Sequence, residues 1–210
     1  MVIGTIILAP RMTKNPLKEK LKGKKIILGS SSPRRKMFLE ELGLNFEVRP
    51  KSVEEIYPEK LQGKEISEFL AKLKATPFKE EMESDQIVIT SDTVVWHNNV
   101  SLAKAANKTE AFEMLRTLSG DWHQVITSVC FTTKGSQKTV SDITKVKLKD
   151  LTDDEINYYI ESCQPFDKAG AYGIQEWIGM IGISEIQGSY NNVVGLPTDL
   201  VYQTLIALVS

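Results

Sequence analysis

Apolar runs and helical spacings alternate through the first half of this sequence, and a long β-rich pair fills its middle. Together they predict a mixed α/β fold. The length of 210 residues suits a single domain. With 41% hydrophobic and 25% charged residues the composition is that of an ordinary globular chain. A domain of this size buries roughly 70% of its unfolded surface and needs no disulfide or structural metal to hold a core.

The elements follow in order. Val2 to Ala9 is apolar but is broken by Pro10 and Arg11. It is too short to span a bilayer and lacks the basic start and cleavage pattern of a secretory signal. Lys14, Lys18, Lys20, Lys22, Lys24 and Lys25 then crowd one stretch, which reads as a solvated, partly mobile arm, with an organelle-targeting or anion-binding arm as the alternative. Ile26, Ile27 and Leu28 form a buried strand ending at Gly29-Ser30. Ser32 is a good N-cap and Pro33 suits the first helical position, with Phe38, Leu39 and Leu42 as the apolar spacing and Gly43 as the stop. Phe46 to Val48 reads as a second strand, and residues 51–63 as a loop. A helix follows from about Ser67 or earlier, with Ile66, Phe69, Leu70 and Leu73 on one face.

Ile87 to Val95 reads as a continuous strand, turned at Asn98-Asn99 into a hairpin. That turn places His97 at the surface. Asn107 and Glu110 resemble a capping box for a helix carrying Ala111, Leu115 and Leu118, closed by Gly120. Residues 122–133 and 138–149 flank Lys134-Gly135 and predict a long hairpin. Thr152 and Glu155 form another capping box, with Ile156, Tyr159 and Ile160 facing inward. The last helix follows Pro197, with Val201, Leu205 and Leu208 as its stripe.

Charge excludes some functions. Lys and Arg number 26, and Asp and Glu 27, so no global basic field gathers nucleic acid or an anionic membrane. Cys130 and Cys163 form no C-x-x-C pair, and His97 and His123 are too few for a histidine metal centre. A cytoplasmic protein is the simplest reading.

Three segments carry chemistry. Ser30-Ser31-Ser32-Pro33-Arg34-Arg35 sits between a strand and a helix, where free N–H groups, hydroxyls and guanidinium groups suit a phosphate. An ordinary N-cap with solvated arginines fits the same residues. Ser91-Asp92-Thr93 places an acid inside an apolar strand, where it needs a partner, a metal or water. A turn acid at a kink is the alternative. Asp167 to Gln175 combines small residues, which let a ligand approach the backbone, with an amide able to pair with a nucleobase edge. A solvated flexible loop is the alternative. Glu54, Glu55, Lys74 and Lys104 are further charged candidates: Glu55 could join Asp92 on a hard divalent ion, and the lysines could neutralise phosphate oxygens.

In these segments, and in Leu118-Ser119-Gly120, His123 to Thr127 and Asn192 to Pro197, the sequence resembles the Maf family of nucleoside triphosphate pyrophosphatases. The likeness runs from about Lys25 to the C-terminus. Lys168-Ala169-Gly170-Ala171-Tyr172-Gly173-Ile174-Gln175 is similar to the branch acting on dTTP and UTP. The basic extension resembles that of the Maf-like domain of acetylserotonin O-methyltransferase-like proteins. The resemblance implies an inosine-triphosphatase-like mixed sheet flanked by helices, with a cleft between two lobes. It divides the chain into an extension at 1–22 and one domain at 23–210.

It also implies hydrolysis of the α–β bond of dTTP and UTP, with modified pyrimidine nucleotides within its scope, assisted by Mg²⁺ or Mn²⁺ and carried out by a homodimer. Asp92 then matches the general base or water-positioning group and, with Glu55, the metal site. Arg34, Thr93 and Gln175 match positions of substrate choice. Ser30, Ser32, Arg35, Lys74, Lys104 and Lys168 match positions around the triphosphate. The family's proline after the lysine matched by Lys104 is replaced by Ala105, which is expected to loosen Lys104. A nucleotide-binding regulatory module with little turnover, acting on cell division, is the alternative function.

Overall fold

The computed structural model describes residues 14–209, so the apolar run Val2–Ala9 and the chain up to residue 13 lie outside it. The first described element is α1, Pro16–Lys20, followed by β1, Lys25–Leu28, α2, Pro33–Glu41, and β2, Phe46–Val48. After a long loop come α3, Lys64–Ala75, a 3₁₀ segment at Thr76–Glu81, β3, Gln86–His97, and β4, Val100–Leu102. The middle holds α4, Lys108–Leu118, β5, Trp122–Thr132, and β6, Gln137–Leu148. The chain continues through α5, Asp153–Cys163, a 3₁₀ turn at Pro165–Asp167, α6, Trp177–Gly182, β7, Ile183–Gln187, α7, Tyr190–Val194, and α8, Thr198–Ala207.

The strands make one seven-stranded mixed sheet in the order β2-β1-β3-β5-β6-β7, with β4 paired to β3. β1 runs parallel to β2 and β3, while β5, β6 and β7 are antiparallel to their neighbours. Alternation along the strands gives the sheet two different faces. Ile26, Leu28, Ile87, Ile89, Val125, Val129 and Val146 enter the main core, which also takes buried residues of α1, α2, α4, α5 and α8. Ile27 and Val88 meet Phe78 and Met82, Val94 meets Ile66 and Leu70, and Cys130 meets Ala71 and Ala75. The opposite face therefore belongs to α3 and the 3₁₀ segment after it.

Most local signals act as their chemistry dictates. The Ser32 hydroxyl caps α2 with Pro33 inside the first turn, and Gly43 ends that helix at φ +73°. Asn98 and Asn99 both take positive φ, as a tight hairpin turn requires. The Thr152–Glu155 capping box is complete. The Asn107 side chain accepts from the Glu110 N–H, but the Glu110 carboxylate accepts from Ala106 instead of returning to Asn107.

Two expectations are corrected. The stretch from residue 14 is not a solvated arm. Asn15 caps α1, its amide donates to the Leu42 carbonyl at the end of α2, and Leu17 and Leu21 are buried in the main core. His97 is not at the surface: β3 carries it inward to 5% exposure, and its Nε2 lies 2.9 Å from Asp121 Oδ2. The helix α6, strand β7 and helix α7 are additional to the elements read from the sequence.

Because Leu17 is fully buried, Leu17→Ala is expected to cost about 2–5 kcal/mol of unfolding free energy. Urea titration measures this. A loss under about 0.5 kcal/mol, the range of surface substitutions, would mean that α1 does not dock.

Candidate active site

The site exists because β1 is shorter than β3. β1 pairs with β3 only as far as Leu28 opposite Ile89, and the Gly29 N–H still donates to the Ile89 carbonyl. Beyond that point the chain turns away into α2, leaving Ser91 to Thr93 without a strand neighbour on that side. Gly29 suits this turn: a Cβ there would lie 2.8 Å from Thr90 Cγ2 and 3.1 Å from the Phe78 ring.

The open strand edge is the floor of a cleft of about 800 Å³. Every residue assigned to the site from the sequence lines it: Ser30, Ser32, Arg34, Arg35, Glu55, Lys74, Asp92, Thr93, Lys104, Lys168 and Gln175. Glu54, the neighbour of Glu55, does not.

Alternation splits the floor. Asp92 stands opposite Ser128 and points to the α3 face, where it is 6% exposed. Lys74, in the last turn of α3, places Nζ 2.6 Å from Asp92 Oδ1 and 3.0 Å from Glu55 Oε2. Burial raises the Asp92 carboxyl above its ordinary pKa, against the pull of Lys74 and Arg35. Thr93 stands opposite Thr127 and points the other way, with 3.0 Å between the two hydroxyls.

Arg35 fastens this edge. Its Nη1 donates to the Ser91 carbonyl at 2.8 Å, which satisfies the ladder position that β1 leaves open. Nη1 also reaches Ser30 Oγ at 3.4 Å, Nη2 reaches Thr93 Oγ1 at 3.2 Å, and Nε reaches the Gly195 carbonyl at 3.1 Å. Most of its donors are thus spent within the protein. Arg34 is freer, with a single ion pair among the described residues, to Asp167 at 3.4 Å.

The opposite wall is the loop after α5. Lys168 is 8% exposed, and its Nζ lies 2.7 Å from Asp167 Oδ1 and 2.9 Å from Glu176 Oε1. Lys104 bridges Ala169 through its backbone in an antiparallel pair, and its side chain has no partner among the described residues. The Ala105 substitution does not free this segment. Ala105 is buried, the Ala106 N–H is held by Glu110, and the Gly170 N–H donates to the carbonyls of Leu102 and Ala103. Gln175 is exposed on the cleft, and its amide has no partner among the described residues.

Sequence reasoning passed over Lys51, which also lines the cleft and pairs with Glu81 and the Pro77 carbonyl. Its flanking Pro50 and Ser52 carry no motif, so nothing local singled it out.

The donor set fits a magnesium-like ion. Asp92 and Glu55 offer hard carboxylate oxygens, and the Lys74 ammonium between them marks a position where positive charge is demanded. Among the described residues no three His, Cys, Asp or Glu groups gather to hold a metal by themselves. Mg²⁺ commonly uses one or two carboxylates and takes its remaining ligands from water and substrate phosphates.

Comparison with known proteins is consistent in extent and kind. The family described as "Maf-like protein" matches residues 25–208. A protein of Flavobacterium johnsoniae named dTTP/UTP pyrophosphatase is 54% identical over 92% of this chain and 100% of its own. Relatives with the same name from Flavobacterium psychrophilum and Christiangramia forsetii are 52% and 49% identical, each over 90% of this chain and 97% and 96% of their own. Among solved structures, the Ham1 protein of Staphylococcus aureus shares the fold, with a TM-score of 0.51 at 16% identity over 88% of this chain and 100% of its own.

Beside the cleft, His123 on β5 sits at 2% exposure with Nε2 2.6 Å from the Tyr172 hydroxyl, and burial lowers its pKa to about 3. Between pH 6.5 and 3 the unfolded chain binds a proton there that the folded chain refuses. This component of stability is complete above pH 6.5 and is lost as the pH falls toward 3, by at most about 1.4 kcal/mol per pH unit. Urea unfolding at pH 7 and pH 4.5 is expected to show a smaller acid loss for His123→Gln than for the parent. Equal losses would contradict the buried neutral imidazole.

Proposed function

The chain belongs to the Maf-like protein family, and we propose that it is a nucleoside triphosphate pyrophosphatase hydrolysing dTTP and UTP to the monophosphate and pyrophosphate. The observation that carries this reading is the meeting of Asp92, Lys74 and Glu55 in one cleft with the capped start of α2, three further lysines and the Gln175 amide. A polyanion with a pyrimidine at one end needs that combination.

The roles implied by the family resemblance are supported by position. Asp92 is the general base: a buried carboxyl with a raised pKa takes a proton from water more readily than an ordinary one. The water oxygen then bonds to phosphorus, the bridging P–O bond breaks, and pyrophosphate leaves. Asp92 and Glu55 would hold Mg²⁺ or Mn²⁺, which when bound supplies charge neutralisation and a more acidic water. Lys74, which pairs with both carboxylates, would be free to meet phosphate oxygens when the ion takes its place.

Arg34, Lys104 and Lys168 surround the triphosphate together with the Ser30 and Ser32 hydroxyls, and stabilise charge that grows during transfer. Arg35 acts mainly by holding Ser91 and Thr93 in place. Gln175 reads the base: a carboxamide offers one donor and one acceptor, which match O4 and N3–H of uracil or thymine, while cytosine inverts that edge. Thr93 contributes to the same choice, and modified pyrimidine nucleotides that keep this edge fall within the scope.

The catalytic domain is proposed to span residues 23–210, with α1 packed onto it as an extension. A homodimer and a cytoplasmic location complete the reading. The exposed Tyr158 and Met180 on α5 and α6 offer apolar area for a second copy, and Cys130 and Cys163 are free thiols. Among the described residues no helix is long and apolar enough to cross a membrane.

A panel of nucleoside triphosphates tests the reading. Pyrophosphate release is expected from dTTP and UTP with Mg²⁺ or Mn²⁺, to stop on chelation, and to return when metal is restored. Asp92→Asn is expected to lower kcat by about 10²–10⁴-fold. Full release by that variant would remove Asp92 from the mechanism, and binding without hydrolysis by the parent would favour a regulatory module.

A further inference from the structure

We propose that Tyr159 is the positioning residue of the base-reading loop, its hydroxyl tying the Gly173 backbone to Glu176 and, through Glu176, to Lys168. The proposal rests on the pyrophosphatase reading, in which Gln175 meets the base and Lys168 the phosphates.

Tyr159 lies on α5, fully buried and outside the cleft lining. Its hydroxyl accepts from the Gly173 N–H at 3.0 Å and donates to Glu176 Oε2. The other oxygen of Glu176 holds Lys168 Nζ at 2.9 Å. Lys168 continues to Asp167 at 2.7 Å, and Asp167 to Arg34 at 3.4 Å. One connected chain of polar contacts thus runs from beneath the base reader to the start of α2.

Gln175 sits between the two residues that Tyr159 holds. Its side-chain amide has no bond among the described residues, and it lies over Gly173, where an added Cβ would come within 2.9 Å of Nε2. The amide position therefore follows the Gly173 backbone and the Glu176 anchor. The loop also contains Gly170 and Ala171 at φ +66° and +54°, so regular pairing does not fix it. Its second buried anchor is the Tyr172 hydroxyl on His123.

A phenol hydroxyl accepts and donates at once. Phenylalanine at 159 would fill the same space but strand the Gly173 N–H and one Glu176 oxygen. The consequence reaches both ends of the substrate: the amide loses its register on the base, and Lys168 loses a fixed counter-charge. A residue that merely packed would affect stability and leave discrimination between bases unchanged.

The experiment compares the full chain with Tyr159→Phe by two readings. Backbone hydrogen exchange in the peptide holding Gly173 is expected to rise about tenfold or more, and this reading needs no activity. The ratio of kcat/KM for dTTP over CTP is expected to fall about 5–30-fold, the range of one or two lost hydrogen bonds. Unchanged exchange, or an unchanged ratio, would overturn the proposal. Should Tyr159→Phe fail to fold, Glu176→Ala, at a partly exposed position, removes the hydroxyl's acceptor and is held to the same two outcomes. If the parent hydrolyses neither nucleotide, the pyrophosphatase reading fails, and hydrogen exchange alone decides whether Tyr159 positions the loop.

Discussion

A carboxylate buried in the middle of a β-strand needs a partner for its charge, and a cation is the strongest one. Asp92 is such a group, and Lys74 is its cation at 2.6 Å. Much of the local architecture serves this pair. α3 lies across the face of β3 and β5 so that its last turn delivers Lys74, with small Ala71 and Ala75 allowing close approach to Cys130. The loop after β2 brings Glu55 to the same ammonium. Two acids thus converge on one lysine, and a hard divalent cation commonly uses one or two such carboxylates.

One strand does two jobs because its side chains alternate. Asp92 looks toward α3 and Lys74, while Thr93 looks toward Arg35 and the core side. The early end of β1 exposes both on one edge. Arg35 then completes the ladder that β1 abandons by taking the Ser91 carbonyl, and ties that edge to the Gly195 carbonyl. The arginine beside it, Arg34, lines the cleft and makes one ion pair among the described residues, to Asp167. Adjacent residues of one motif thus differ: one is spent as a clamp, and the other keeps most of its donors toward the cleft.

Local chemistry made much of the fold legible. Ser32-Pro33, Asn98-Asn99 and Thr152 with Glu155 each specify a backbone event within four residues, and each occurs. The misses have physical causes. Lysine density around α1 hid Leu17 and Leu21, which are spaced i, i+4 and capped by Asn15. No apolar spacing or cap marked α6, whose Gly179 lets the helix press against the Ile174 carbonyl, where a Cβ would clash. His97 was misplaced because the turn beside it is exposed while its own side chain faces Asp121. Site residues were legible as types, not as neighbours. Lys74 and Asp92 are 18 positions apart and Gln175 lies 83 further on, so only the sheet and its loops bring them together, and only the family resemblance gave them roles.

The central claim is that the Asp92–Lys74–Glu55 cluster is the receiving site of a metal–triphosphate. A crystal structure with α,β-imido-dUTP and Mn²⁺ tests it most directly. Anomalous density beside Asp92, with Lys74 moved onto phosphate oxygens and the uracil edge against Gln175, is the expected result. Manganese bound away from Asp92, or a nucleotide seated outside this cleft, would contradict it.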